Sequence, residues 1–257
     1  MSAPPARVVH DAWNIYVAQT GRGPLFVSFD EDAAREDLTG TLRHCARVAV
    51  SIHHPNPNGG PVPPESDRLN VLEDALCAAL ESAGVECRLV ARLTHQGTRE
   101  WVFQLEAREA FLPVVEAWKG ECPDYHPVRI LEHEGWEYFD ACIRPDEATW
   151  RWLADQRTVE QLVEAGSDPS REHALEFVFF GSGEALAAVA RALQERGYTR
   201  PAEAPPEKEG TLVMVKRLPL DLDAISAESE ANDELADAHG ADFDGWGAAP
   251  SGTPGRG

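Results

Sequence analysis

Residues able to do chemistry fall in a few short stretches. His53-His54 sets two imidazoles side by side, and the run from His126 to His133 brings imidazoles close to Glu132 and Glu134. Adjacent strand residues point to opposite faces, so His53 and His54 reach one ion only where the chain bends. Zinc sites need several convergent ligands at recurrent spacings, and neither C-x-x-C nor H-E-x-x-H occurs. No metal ligand is expected. Glu132, Glu134, Glu137 and Asp140, beside Trp136 and Tyr138, have the makings of an acid/base site if burial shifts a pKa. Most surface carboxylates are unpaired, so a solvated face is the expected role. Gly181-Ser182-Gly183-Glu184 leads into a helical stripe and could offer amides to an anion. It lacks the Gly-Lys-Ser/Thr continuation, which leaves Ser182 as a helix N-cap. With no G-x-S-x-G elbow and no dinucleotide fingerprint, no catalytic residue and no cofactor is expected.

The elements that must position these residues are legible from periodicity. Trp13 to Gln19 and Pro24 to Asp30 read as a hairpin about Thr20-Gly21-Arg22-Gly23, followed by an acidic connector with helical leanings, Glu31 to Leu42. Ala46, Val48, Val50 and Ile52 alternate with period two, predicting a strand with one buried face. After a Pro/Gly/Asn loop, Ser66 is the expected N-cap of a helix carrying Leu69, Leu72, Leu76 and Leu80, which Gly84 ends. Cys87 to Leu93 and Trp101 to Leu105 alternate on either side of His95-Gln96-Gly97-Thr98, a second hairpin. Ala107 to Lys119 reads as a helix with a kink or late start at Pro113, and Val128 to Leu131 as a closing strand.

Arg144-Pro145 marks the expected boundary, because proline disfavours helix in the residue before it and can open the next helix. Beyond it the pattern predicts a helix over 146–165, a turn at Gly166-Ser167-Asp168-Pro169, a strand Leu175 to Phe180, and a helix ending at Gly197. Tyr198 to Arg200 reads as extended, Pro201 to Glu209 as a loop, Leu212 to Arg217 as a strand, Asp221 to His239 as a helix, and Asp242 to Gly247 as a short closing segment. The expected fold is α+β: two ferredoxin-like α/β sandwich domains with mainly antiparallel sheets, residues 1–144 and 145–249, with 250–257 a disordered tail.

The formal net charge is −21, with 13 Lys+Arg against 22 Asp+Glu up to Arg144 and 10 against 22 beyond it. Acidity in both halves disfavours direct contact with phosphate backbones and favours basic protein segments as partners. No basic-then-apolar leader and no apolar run long enough to span a bilayer is present, so a cytoplasmic location is expected. The odd set Cys45, Cys77, Cys87, Cys122 and Cys142 suits free thiols better than a disulfide framework.

From about Trp150 to Ala249 the chain resembles the RraB family of ribonuclease E regulators. The resemblance is carried by a helix running into Glu164-Ala165-Gly166-Ser167-Asp168-Pro169, the strand Leu175 to Phe180, the helix ending in Gly197-Tyr198, and above all Asp242-Phe243-Asp244-Gly245-Trp246-Gly247. It implies a cytoplasmic, non-catalytic protein that binds an endoribonuclease of the ribonuclease E type and modulates RNA decay. The family-motif and candidate partner-contact residues are then Gly166, Ser167, Asp168, Gly197, Asp244, Gly245, Trp246 and Gly247. Trp246, an aromatic between two glycines near the chain end, reads first as the cap of a core edge and second as a partner contact. Residues Trp13-Asn14-Ile15-Tyr16, Leu25 to Asp30 and Glu137-Tyr138-Phe139-Asp140 resemble a domain-of-unknown-function family, number six hundred and ninety-five, found fused to RraB-like domains. The competing expectation is an enzyme or small-ligand-binding protein with a site at the inter-domain cleft.

Overall fold

The computed structural model describes residues 13–36, 38, 40–125, 128–201 and 210–249, in two compact units, Met1–Arg144 and Pro145–Gly257. The fold is α+β with two antiparallel sheets. The expectations for His126, the loop beyond Pro201 and the tail at 250–257 lie outside the described residues.

In the first unit, β1 (Trp13–Thr20) and β2 (Gly23–Asp30) form the first hairpin. They are followed by β3 (His44–Ser51), β4 (Cys87–His95), β5 (Thr98–Leu105) and β6 (Arg129–Glu134). The sheet runs β1-β2-β4-β5-β3-β6. In the β3-to-β6 series the first and third strands therefore lie inside and the second and fourth flank them. The β4-β5 turn needs positive φ at both central residues, and Gln96 (48°) and Gly97 (72°) supply it.

The face of β3 that carries Ala46, Val48 and Val50 packs with Trp101, Phe103 and Leu105 under α2 (Glu65–Ser82) and α3 (Arg108–Glu121). Those helices contribute Leu69, Leu76, Leu80, Phe111, Val115 and Trp118. The opposite face of the sheet carries the buried Val27, Phe29, Cys45, Ala49 and Val102. Two short helices, α1 (Glu31–Arg35) and α4 (Glu137–Cys142), bring the buried Ala33, Ala34 and Phe139 to this unit.

Local details differ from the sequence expectations. The acidic connector is helical only over α1. Helix α2 starts one residue before Ser66, which therefore sits inside the first turn and cannot cap it; Pro64 holds the cap position without a side-chain hydrogen bond. Helix α3 begins at Arg108 and continues past Pro113 to Glu121, so there is no late start.

In the second unit α5 (Glu147–Glu164), α6 (Gly183–Glu195) and α7 (Leu222–Ala238) accompany a sheet of β8 (Thr211–Leu218), β7 (His173–Gly181) and β9 (Ala241–Gly247), in that order. Strand β7 is central, and its Leu175, Phe177 and Phe179 are fully buried against Leu186, Val189, Leu193, Met214 and Ile225. Among the described residues the sheet has three strands, and the segment Tyr198 to Arg200 adds an isolated bridge, Thr199 to Val215. Pro201 follows at once and has no backbone donor with which to lengthen that pairing.

Candidate functional site

The eight motif residues do not converge on one surface; the structure places them at helix ends and on an edge strand. Gly166 (φ +94°) turns the chain after α5 so that its own amide and that of Ser167 return to Val163 O and Leu162 O at 2.9 and 3.0 Å. Gly197 (φ +85°) does the same after α6, where its amide and that of Tyr198 reach Gln194 O and Leu193 O. Gly84 ends α2 with the same pair of bonds. A side chain at such positions strains the left-handed backbone, which is why glycine recurs there. Asp168 accepts from the amide and hydroxyl of Ser170 at 3.0 and 2.7 Å, closing the turn, and Ser167 is buried.

On β9 the register with β7 shifts between Val178 and Phe179, so Asp244 is the extra residue of a bulge and Gly245 (φ +122°) carries the unusual backbone. The bulge turns Trp246 onto the helix side, opposite Phe177, and Gly247 pairs with Glu176. Trp246 Nε1 donates to Asp155 Oδ1 at 2.7 Å, and Ser229 Oγ donates to the same oxygen at 3.2 Å. Asp155, on α5, is the residue that sequence reasoning missed. It is only 4% exposed, and burial pushes its carboxyl above the ordinary value of 3.8 against the opposing pull of these hydrogen bonds and Arg151.

Asp155 also lines a groove of about 300 Å³ between α5 and α7, with Trp152, Asp223, Ser226 and Glu230. Among the described residues Asp155 Oδ2 and Ser226 Oγ make no well-formed hydrogen bond, although Ser226 lies close enough to help hold the Asp155 carboxyl down. Arg151 borders the groove, but its guanidinium is engaged by Asp233. An aromatic ring and three carboxylates, that of Asp155 buried, suit an incoming guanidinium. Nearby, Tyr198 donates to Glu228 at 2.6 Å and accepts from Asn232 at 2.8 Å. Glu228 also binds Arg196 and Lys216. Burial pushes the Glu228 carboxyl up, but the bonds from Lys216 and Tyr198 outweigh it and hold the group low. This cluster ties α6, β8 and α7 together.

In the first unit the four candidate carboxylates do not form one site: Glu132 and Glu134 share Arg108, and Asp140 goes to Arg144. Glu132, Glu134, Glu137 and Asp140 are all exposed. Arg108 pairs with Glu132 and Glu134 at 3.6 and 2.8 Å, and Arg144 pairs with Asp140 at 2.9 Å. Trp136 is buried and donates to Leu42 O at 2.8 Å, which makes it an anchor. Tyr138 stacks on His133, with the Arg47 guanidinium over its ring. Burial, Arg47 and Arg108 all lower the His133 pKa. The His53 and His54 amides, at 2.6 and 2.9 Å, both donate to the buried Glu65 carboxylate, and the His53 ring stacks on Tyr125. Ser182 accepts from Ala185 N at 3.2 Å and caps α6. Among the described residues no group of three or more His, Cys, Asp or Glu is placed to hold a metal ion, and no helix is long and apolar enough to cross a membrane.

Comparison with known proteins adds two families. Residues 152–248 match the family described as regulator of ribonuclease activity B. A crystal structure of an unknown protein from Galdieria sulphuraria is similar over 81% of this chain and 98% of its own, at 15% identity and a TM-score of 0.21. No curated protein matches. Residues 152–248 resemble the regulator of ribonuclease activity B family, and the chain belongs to the family of unknown function DUF695, which matches residues 11–141, more than half of its 257 residues.

Proposed function

We propose that the protein is a non-catalytic regulator that binds an endoribonuclease of the ribonuclease E type and thereby modulates RNA decay in the cytoplasm. The observation that carries this reading is the match of residues 152–248 to the regulator of ribonuclease activity B family. The domain at 145–249 makes the contact, and residues 1–144 form a separate domain joined to it. A net charge of −21 repels phosphate, so the partner is protein and not RNA. The groove beside Asp155 receives an arginine from a basic segment of the nuclease, with Asp223 and Glu230 at its rim. The eight motif glycines and side chains then act by shaping this domain, with Trp246 fixing Asp155 in the groove wall.

Pull-down with the full chain from a native lysate, treated with ribonuclease to remove RNA bridging and read by mass spectrometry, tests the reading. An endoribonuclease is the expected catch, released as salt rises through the screening range. The exposed pair Asp223→Lys and Glu230→Lys should abolish capture while the fold is retained. Tight RNA binding by the purified protein, or enrichment of unrelated metabolic enzymes alone, overturns it.

A further inference from the structure

The hairpin β1-β2 lengthens the first sheet beyond the reach of α2, and a cleft of about 620 Å³ opens where the two part. Register explains its lining. One cross-strand row runs Phe26, Thr94, Arg99, and the next runs Ile15, Ser28, Arg92. Alternate residues of a strand share a face, so both rows look the same way. Helix α2 faces them with Asn70, Glu73 and Asp74, spaced so that all three share one side of the helix.

The two arginines differ in state. Arg92 is committed: Glu73, 4% exposed, accepts from its Nε at 2.6 Å, and its guanidinium lies 3.9 Å over the Trp13 ring. Arg99 makes no hydrogen bond or ion pair among the described residues, and its Nε is shielded from solvent without a partner. Burial and the neighbouring Arg92 destabilise the charged guanidinium against the pull of Glu73, and an anion entering the cleft supplies the hydrogen-bonded partner it lacks. Across the cleft Ile15, 60% exposed among the described residues, forms an apolar wall.

We infer that this cleft is a binding site for a small organic monocarboxylate, whose carboxylate pairs with the Arg99 guanidinium while its apolar body lies against Ile15 and Phe26. The guanidinium fork matches a planar carboxylate with two parallel hydrogen bonds. Phosphate has the same donors to bind, but Glu73, whose charge already acts on Arg99, and the exposed Asp74 both line the cleft, and a second negative charge meets them without a second uncommitted arginine to offset it. The site lies within the first unit and is independent of the ribonuclease reading.

Titration of the full chain with hexanoate and, separately, inorganic phosphate, followed through the arginine Nε–Hε NMR resonances, tests the proposal. Hexanoate should shift the Arg99 resonance saturably, with a dissociation constant on the order of 1 mM, which is what a ligand of that size can reach. Phosphate should bind at least about tenfold more weakly. Arg99→Met, which keeps the aliphatic stem, should lose the hexanoate response. Asp74→Asn, at an exposed position that leaves the core untouched, should tighten hexanoate severalfold. No saturable shift, phosphate binding tighter than hexanoate, or hexanoate affinity unchanged in Asp74→Asn each overturns the assignment. The last result decides even if Arg99→Met fails to fold.

Discussion

Trp246→Phe isolates one hydrogen bond on which the second unit depends. The ring still packs opposite Phe177, but Asp155 Oδ1 loses its 2.7 Å donor and keeps only Ser229 at 3.2 Å, while Oδ2 has only the poorly aligned Ser226 beside it among the described residues. A hydrogen bond to a charged buried acceptor contributes about 1.5–3 kcal/mol, and Asp155 is only 4% exposed, so the full range applies. With the smaller ring added, the expected loss is about 2–3 kcal/mol, or roughly 10–20 °C in the melting transition of a unit this size. Asp155→Asn supplies the control. It keeps an acceptor for the indole and removes the buried charge, so it should lie within about 1 kcal/mol of the parent at neutral pH. In that background Trp246→Phe breaks a neutral bond and should cost about 1 kcal/mol less than in the parent. Because burial raises the folded-state pKa of Asp155 above 3.8, its contribution is fully present below 3.8 and is lost as pH rises through the folded value. Trp246→Phe should deepen that loss and Asp155→Asn should remove it. Urea unfolding of the full chain at several pH values, with hydrogen exchange at the β7 amides reporting the second unit by itself, measures all of this. A Trp246→Phe variant within about 0.5 kcal/mol of the parent, or strict additivity with Asp155→Asn, refutes the reasoning.

Two further outcomes follow from the first unit. Burial pushes the Glu65 carboxyl up, but the His53 and His54 amides outweigh it and hold the group below 4.5, so its stabilisation is present above 4.5 and fades as pH falls through the folded value. Glu65→Gln should cost about 1.5–3 kcal/mol at pH 7 and much less near pH 3; an equal cost at both values in denaturant titrations rules out the charged acceptor. Burial pushes the Cys45, Cys77 and Cys87 thiols up to about 12, while Cys142 is exposed, so a disulfide reagent at pH 8 should label Cys142 in the native protein and the others only after unfolding. Mass spectrometry of the labelled peptides checks the order, and equally rapid labelling of Cys45 contradicts it.

The sequence by itself determined what depends on neighbours a few residues apart. Alternation at Ala46, Val48 and Val50, the leucine spacing of α2, and glycines at 84, 166 and 197 specify strand, helix and helix end, because backbone sterics and one-sided burial act locally. The motif around Trp246 was legible as a motif, and its family with it. That Trp246 bonds Asp155 was not, since Asp155 lies 91 residues away in the chain and only the bulge at Asp244 turns the indole toward it. Glu65 drew no reading from the sequence, yet the fold buries it as an acceptor for the loop at His53. The carboxylates from Glu132 to Asp140 looked convergent in one dimension, but β6 and α4 carry them apart, to Arg108 and Arg144. Arg92 and Arg99 are alike in sequence, and only the packing of α2 against the sheet gives the hydrogen bonds of Glu73 to one and leaves the other without them. Charge pairing and desolvation depend on distances in space, and tertiary packing alone sets those.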